Sequence, residues 1–353
     1  MKEALLWEEK SNQAVGCFAC HHSCQIALGR LGVCGVRENQ NGRFYSLVYG
    51  RAAALGIDPV EKKPLYHFLP GSFAFSFGTL GCNFSCLNCQ NWEISQLSNQ
   101  KGKKEACSRL FWGENLAPSQ IVILARQNQC LSIAYTYNEP TVFLEYALET
   151  MKLARRAGLK NIWVSNGFMS DKTLDLILPY LDAANIDIKS SEEKFYQKVC
   201  GAKLAPVLKN CQRLVKEGVW LEVTTLVIPT LSDKMTILNK IADFIREKLG
   251  EAIPWHLSAF SPAISWKLKD LPATPPQIIK EARQEALKRG LKYVYAGNLG
   301  PSSDDDTLCP ACDQLVIKRR GYEIARFDQN GTCPKCGAAL PGRWRQNRKI
   351  ASW

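Results

Sequence analysis

Residues 72–92 read SFAFSFGTLGCNFSCLNCQNW, and the fold turns on them. Ser72–Leu80 is an apolar, aromatic run that stops at Gly81, the pattern of a buried strand with an abrupt end. Cys82, Cys86 and Cys89 follow at once in a Cys-x3-Cys-x2-Cys arrangement. Three thiolates within eight residues can wrap one face of a cubane cluster and bind three of its irons, and no nearby fourth cysteine completes the shell. A metal site with one vacant position is a catalytic design, whereas a closed four-ligand site is structural. The plainer alternatives are a zinc ion that recruits a distant ligand, or unrelated buried cysteines.

Downstream, strand-like and helix-like segments alternate. Pro118–Gln127 reads as a helix and Leu131–Tyr137 as a strand. Val142–Ala157 places Phe143, Ala147, Met151 and Ala154 near the helical period, and Gly158 stops it. Strands are then expected at 161–165, 183–188, 219–227, 255–260 and 291–296, with helices at 171–180, 206–217, 232–249 and 276–289 between them. Repeated units of this kind imply parallel strands with helices outside. The expected class is α/β, a partial (β/α)6-type TIM barrel, with an open doubly wound sheet as the alternative. Either architecture puts chemistry at the carboxyl ends of the strands.

The strand ends carry suitable residues. Tyr137-Asn138-Glu139-Pro140 closes the second strand, Ser165-Asn166-Gly167 the third and Asp187-Ile188-Lys189 the fourth. Alternation points Asp187 and Lys189 to one side. The plain readings are a helix N-terminus at Pro140, a surface ion pair at Asp187 and Lys189, and a hydrogen-bonded core histidine at His256.

A CxxxCxxC triplet after the first strand of such a series resembles the radical S-adenosylmethionine (SAM) superfamily. The resemblance implies a [4Fe-4S] cluster on Cys82, Cys86 and Cys89 whose open iron is chelated by SAM. It further implies cleavage to a 5′-deoxyadenosyl radical that abstracts hydrogen from substrate. Tyr137, Asn138, Glu139, Asn166, Asp187 and Lys189 fall where that superfamily contacts SAM, and His256 resembles a catalytic histidine of glycyl-radical activating enzymes. Asn88 stands where an aromatic residue usually precedes the third cysteine, which leaves the adenine contact to Trp92 or to a residue elsewhere. IDPVEKKPLYHFLPG at 57–71, with CQNWEIS, TYNEP and YAGN, resembles the radical SAM enzyme of the AmmeMemoRadiSam system. That family is encoded alongside Memo-like and AMMECR-domain proteins. It implies a low-potential electron donor such as a flavodoxin or ferredoxin, and leaves the substrate, expected to be a small molecule, unnamed. Pyruvate formate-lyase activating enzymes, which install a glycyl radical on a partner protein, resemble the barrel only.

The flanks hold further cysteines. Cys17, Cys20, Cys24 and Cys34 precede the barrel, and an auxiliary [4Fe-4S] cluster or structural zinc satisfies their spacing equally. Cys309, Cys312, Cys333 and Cys336 form two CPxC knuckles, a zinc-ribbon signature that also suits rubredoxin-type iron. Three segments follow: a Cys-rich N-terminal segment over 1–60, the barrel over 61–300 and a ribbon-like domain over 301–353.

Composition agrees. The 353 residues are 46% hydrophobic and 22% charged, which excludes a disordered or fibrous chain. Fifteen cysteines, an odd number clustered as metal ligands, argue against disulfides and for a reducing interior. The N-terminus lacks a signal-peptide core and no run approaches a membrane span, so a soluble cytoplasmic protein is expected. The net charge of +12 is spread along the chain apart from a tail cluster at Arg343, Arg345, Arg348 and Lys349, which argues against a dedicated nucleic-acid face and leaves a non-catalytic metal-binding or nucleic-acid adaptor using the ribbon and tail as the non-enzymatic alternative.

Overall fold

The computed structural model describes residues 1–97, 113–300 and 303–344; Cys107 and the tail residues Arg345, Arg348 and Lys349 lie outside them. Phe73–Gly78 is β2 of an eight-stranded sheet whose spatial order follows the chain. Ala54–Pro59 (β1) pairs with it antiparallel. Ser132–Tyr135 (β3), Lys160–Ser165 (β4), Ala183–Asp187 (β5), Trp220–Val227 (β6), Trp255–Ala259 (β7) and Val294–Gly297 (β8) continue it, each parallel to the last.

Each parallel crossover carries a helix. These are Pro118–Gln127 (α1), Leu144–Arg156 (α2), Asp171–Ile177 (α3), Leu204–Lys216 (α4), Met235–Phe244 (α5) and Pro276–Lys288 (α6). In α4, Leu204, Val207, Cys211 and Leu214 recur at helical spacing and are buried, and left-handed Gly218 ends the helix. Strand alternation divides the two faces of the sheet. Phe75 and Phe77 join the main core under the helices, whereas Ala74 faces the other way into a second cluster.

That second cluster defines the sheet's shape. Ala74, Ala134, Ile162, Ala183 and Trp220, one residue from each of β2 to β6, share one buried cluster with Val60, Leu65 and Phe68. Five adjacent strands can meet one short segment only if the sheet curls around it. Residues 60–71 therefore form a floor at the amino ends of the strands, and β1 and β8 are the two edges of an open, curled sheet. Ala54–Pro59, which the sequence reading left in the N-terminal segment, belongs to this sheet.

Two three-stranded antiparallel sheets occupy residues 2–46 and share a small core of Ala4, Val15, Cys17, Ala19, Ile26 and Phe44. At the other end of the chain, Thr307–Leu308, Leu315–Arg320 and Glu323–Arg326 form an antiparallel ribbon. The ribbon sits beneath the floor. Buried Arg319 donates to the Tyr66 and Asp305 carbonyls, and the Arg343 amide and carbonyl bond to His67 and Leu69, both at 2.7 Å. Among the described residues no helix is long and apolar enough to cross a membrane.

Candidate active site and metal centres

The cysteine triplet lies on a loop fixed from both sides. β2 ends at Gly78, where a Cβ would collide with the Thr136 carbonyl, so that the β2 and β3 ends approach closely. Asn138 then clamps the turn: its Oδ1 accepts from the Thr79 amide at 3.1 Å and its Nδ2 donates to the Gly81 carbonyl at 2.6 Å. Farther along, the Ser85 and Leu87 amides donate to the Cys200 and Val199 carbonyls at 2.9 Å, and the Lys267 amide to the Leu87 carbonyl at 2.8 Å. The sulfurs themselves are contacted. Cys82 Sγ accepts from the Phe84 amide at 3.4 Å, and Cys89 Sγ lies 3.1 Å from Ser95 Oγ.

The three thiols do not ionise with equal ease. Burial pushes Cys82 well up, and Glu139 and the other two cysteines add to it; burial also raises Cys89. Cys86 is drawn down by a hydrogen bond from the Cys200 thiol. A metal centre that takes thiolates while N–H and O–H groups reach the sulfurs fits this donor set.

The strand-end residues gather on the same end of the sheet. Glu139 is 2% exposed, and its carboxylate accepts from Thr141 N and Oγ1, Ser165 Oγ and Asn166 N. Asn166 Nδ2 reaches Asn83 Oδ1 inside the triplet loop at 2.7 Å. Asn138, Glu139 and Asn166 thus spend their side chains on positioning one another and the loop. Tyr137 adopts a left-handed φ of 69°, strain of the kind stored at sites. Its phenol donates to Asp58 Oδ2 at 2.8 Å, and its carbonyl accepts from Asn91 Nδ2 at 2.7 Å. Asp187 and Lys189 pair at 2.7 Å. Burial alone would lower the Lys189 ammonium, but Asp187 and the thiols of Cys86 and Cys200 hold it well up, so it stays charged beside the triplet. Trp92 opens a single helical turn, Trp92–Ser95, and is half-buried.

His256 is engaged within the protein. It is the second residue of β7, is 3% exposed, and its Nε2 lies 2.7 Å from Glu222 Oε2 while its ring packs edge-on against Tyr66. Glu222 also accepts from the Tyr66 and His67 amides and the Trp220 indole. Across the sheet the histidine is in register with Thr224, and Thr224 with Asp187.

Three further groups escaped the sequence reading. Asp58 binds Lys62 at 2.8 Å and buried Lys63 at 2.6 Å, against the concave face that Tyr137 crosses. Despite burial, those two ammoniums hold its carboxyl well below the usual range. Cys200 lies beside Cys86 with no sequence spacing to announce it. Asn83 joins β4 to the triplet loop.

The flanking cysteines make two different sites. In the ribbon the four sulfurs lie within 4.8 Å of one another, with Cys309–Cys336 at 3.6 Å and Cys312–Cys333 at 3.7 Å. A tetrahedral ion with bonds of about 2.3 Å sets its sulfurs about 3.8 Å apart, so one metal ion fits here. Cys17, Cys20, Cys24 and Cys34 instead line one small cavity together.

With this geometry in view, comparison with known proteins is informative. The model of the radical SAM superfamily matches residues 77–241. An uncharacterized protein of Methanocaldococcus jannaschii is 40% identical over 343 residues, 96% of this chain and 99% of that one. The pyruvate formate-lyase-activating enzyme of Staphylococcus epidermidis is 23% identical over 232 residues, 61% of this chain and 86% of that enzyme. Among solved structures, a radical SAM methyltransferase from Sphaerobacter thermophilus aligns with a TM-score of 0.50 at 14% identity over 72% of each chain, a likeness of fold alone. Residues 77–241 form a radical SAM domain, which implies SAM and a [4Fe-4S] cluster. Along nearly its whole length the chain shares a family with the M. jannaschii protein.

Proposed function

We propose that the protein is a radical SAM enzyme acting on a small polar molecule, with its catalytic cluster on Cys82, Cys86 and Cys89. The observation that carries this is the donor-lined triplet at the carboxyl end of β2, tied by hydrogen bonds to the ends of β3 and β4. The cluster with SAM bound supplies one-electron cleavage of the sulfonium C–S bond and a 5′-deoxyadenosyl radical able to abstract hydrogen. The chain's own residues do the positioning. Lys189 offers an ammonium to the SAM carboxylate, Asp187 a carboxylate to the ribose hydroxyls, the backbone of 137–139 its carbonyls to the amino group, and Trp92 a ring to the adenine. Asp58, Lys63, Tyr137, Asn185 and Thr224 supply a polar wall for the substrate, and the floor and ribbon keep water from the amino side.

The 57–71 motif supports membership of the AmmeMemoRadiSam family, with Memo-like and AMMECR-domain proteins and a low-potential electron donor as partners. The ribbon takes zinc, or iron of the rubredoxin type, and its role is structural. The S. epidermidis relative favours a second reading, an activating enzyme that places a glycyl radical on a partner protein. Anaerobic protein reconstituted with iron, sulfide, SAM and dithionite is expected to release 5′-deoxyadenosine. A yield no higher than that of Cys86→Ala refutes the proposal, and transfer of label into a glycyl loop of a partner supports the second reading over the first.

A further inference from the structure

The N-terminal cavity is the other place in the molecule that asks for an occupant. Cys17, Cys20, Cys24 and Cys34 line one cavity, with Arg37 and Asn83 in the wall. Sulfur spacing sets it apart from the ribbon: among the described residues, three or more ligand atoms come within 4.8 Å of one another at the ribbon alone. A mononuclear site needs sulfurs about 3.8 Å apart, whereas a cubane distributes its four thiolates over four irons and spreads them wider. The wall also carries a buried ion pair: Arg37 is 2% exposed, and Glu145 holds its guanidinium in place by bonds of 2.6 and 2.7 Å.

The cavity abuts the triplet loop directly. Gly81, the residue before Cys82, has φ 85°, and the Cys34 carbonyl and Val36 side chain stand 2.6 Å from where its Cβ would be. His22 Nε2 lies 2.7 Å from the Asn83 carbonyl. Asn83 accepts from Asn166 through Oδ1, while its buried Nδ2 has no partner within the protein. An unpartnered buried amide in the wall of a four-thiol cavity is a donor awaiting a sulfur.

We propose that these four thiolates hold a second [4Fe-4S] cluster, and that Gly81 and Asn83 set it against the triplet loop so that it passes single electrons to the catalytic cluster. A low-potential one-electron donor, dithionite or a reduced ferredoxin-type protein, loses one electron as the N-terminal cluster gains it. That cluster then returns to its oxidised state as the triplet's cluster is reduced, with no proton moved. The relay, though not the site, rests on the radical SAM reading of the triplet.

The test uses full-length, anaerobically prepared protein, metal analysis and electron paramagnetic resonance. The Cys82→Ala/Cys86→Ala/Cys89→Ala variant is expected to keep about four irons beyond any ribbon metal and to give a cluster signal on reduction with dithionite. Cys20→Ala/Cys24→Ala is expected to lose that signal and keep the triplet's. Wild-type protein with both clusters reduced is expected to show spin–spin broadening that neither variant shows. Zinc in place of iron in the first variant overturns the site, and two clusters without broadening overturn the relay. Should Cys20→Ala/Cys24→Ala fail to fold, Asn83→Leu retains every cysteine and is expected to slow reduction of the triplet's cluster roughly tenfold. An unchanged rate then overturns the relay. A first variant with iron and a wild type that yields no 5′-deoxyadenosine would sink the proposed function and leave this site standing.

Discussion

The two ends of the curled sheet are both buried, polar and furnished with titratable groups, yet they are finished differently. At the amino ends, Glu222 accepts four donors, from Tyr66, His67, Trp220 and His256, and both ring nitrogens of His67 are engaged, with the Pro341 carbonyl and the Tyr295 hydroxyl. Those groups are complete within the chain. At the carboxyl ends lie the triplet's thiols and the Lys189–Asp187 pair, the groups that the proposed function assigns to a cluster and SAM. A closed polar network holds a fold together, whereas an open one is prepared for chemistry. The contrast separates structural from functional charge in a way that residue type alone does not.

The sharpest way to break this contrast is at Glu222. Glu222→Ala leaves two backbone amides, an indole and a histidine facing a void, and stability is expected to fall by about 3–5 kcal/mol. Urea titration measures the loss, and SAM binding by protein that remains folded should be unaltered. A large loss of SAM affinity with stability intact would mean that the two ends are not distinct.

Acid acts on the same end more gently. Burial, with smaller effects of its neighbours, brings His67 down to about 4 from the ordinary 6.5. The unfolded chain therefore takes up a proton near pH 6.5 that the folded chain refuses until about pH 4. Stability supplied by neutral His67 is full above pH 6.5 and is lost as pH falls toward 4, by about 2 kcal/mol at pH 5. Glu222, held low by its donors against its burial, adds a further loss as pH falls through its folded value. Urea midpoints at pH 7.5 and 5 in wild type and His67→Gln read the effect. Equal slopes in the two proteins would remove His67 from the account.

How much of this is legible in the sequence follows from the same contrast. Parallel strands buried on both faces announce themselves as apolar runs, and Pro118 at the first position of α1 marks that helix's start, so the βα series is readable. β1 is not, because Gly56, Asp58 and Pro59 break any strand pattern, and Asp58 makes sense only once Lys63 and Tyr137 come to it. The triplet declares itself by spacing. Cys200, Asn83 and the N-terminal cavity depend on contacts between distant segments, which spacing cannot encode. His256 lies level with Asp187 across the sheet, Asp187 pairing with Thr224 and Thr224 with His256; its bond to Glu222 and its packing on Tyr66 come from distant segments that local sequence does not encode.

Lys189 is the finest probe of the open end. Its ammonium is mostly buried, paired with Asp187 at 2.7 Å and held charged by the neighbouring thiols. If it is there to meet the SAM carboxylate, Lys189→Ala removes one charge-assisted bond, and SAM affinity is expected to fall about tenfold, near 1.4 kcal/mol. Iron content and urea midpoint should hold, because the triplet loop is fastened by Asn138, Cys200 and Lys267 through bonds that this substitution does not touch. If instead the ammonium balances the thiolates, the same substitution will lower iron content and leave the SAM affinity of the loaded fraction unchanged. Isothermal titration beside iron analysis distinguishes the two, and with them whether the open end is completed by SAM or by its own lysine.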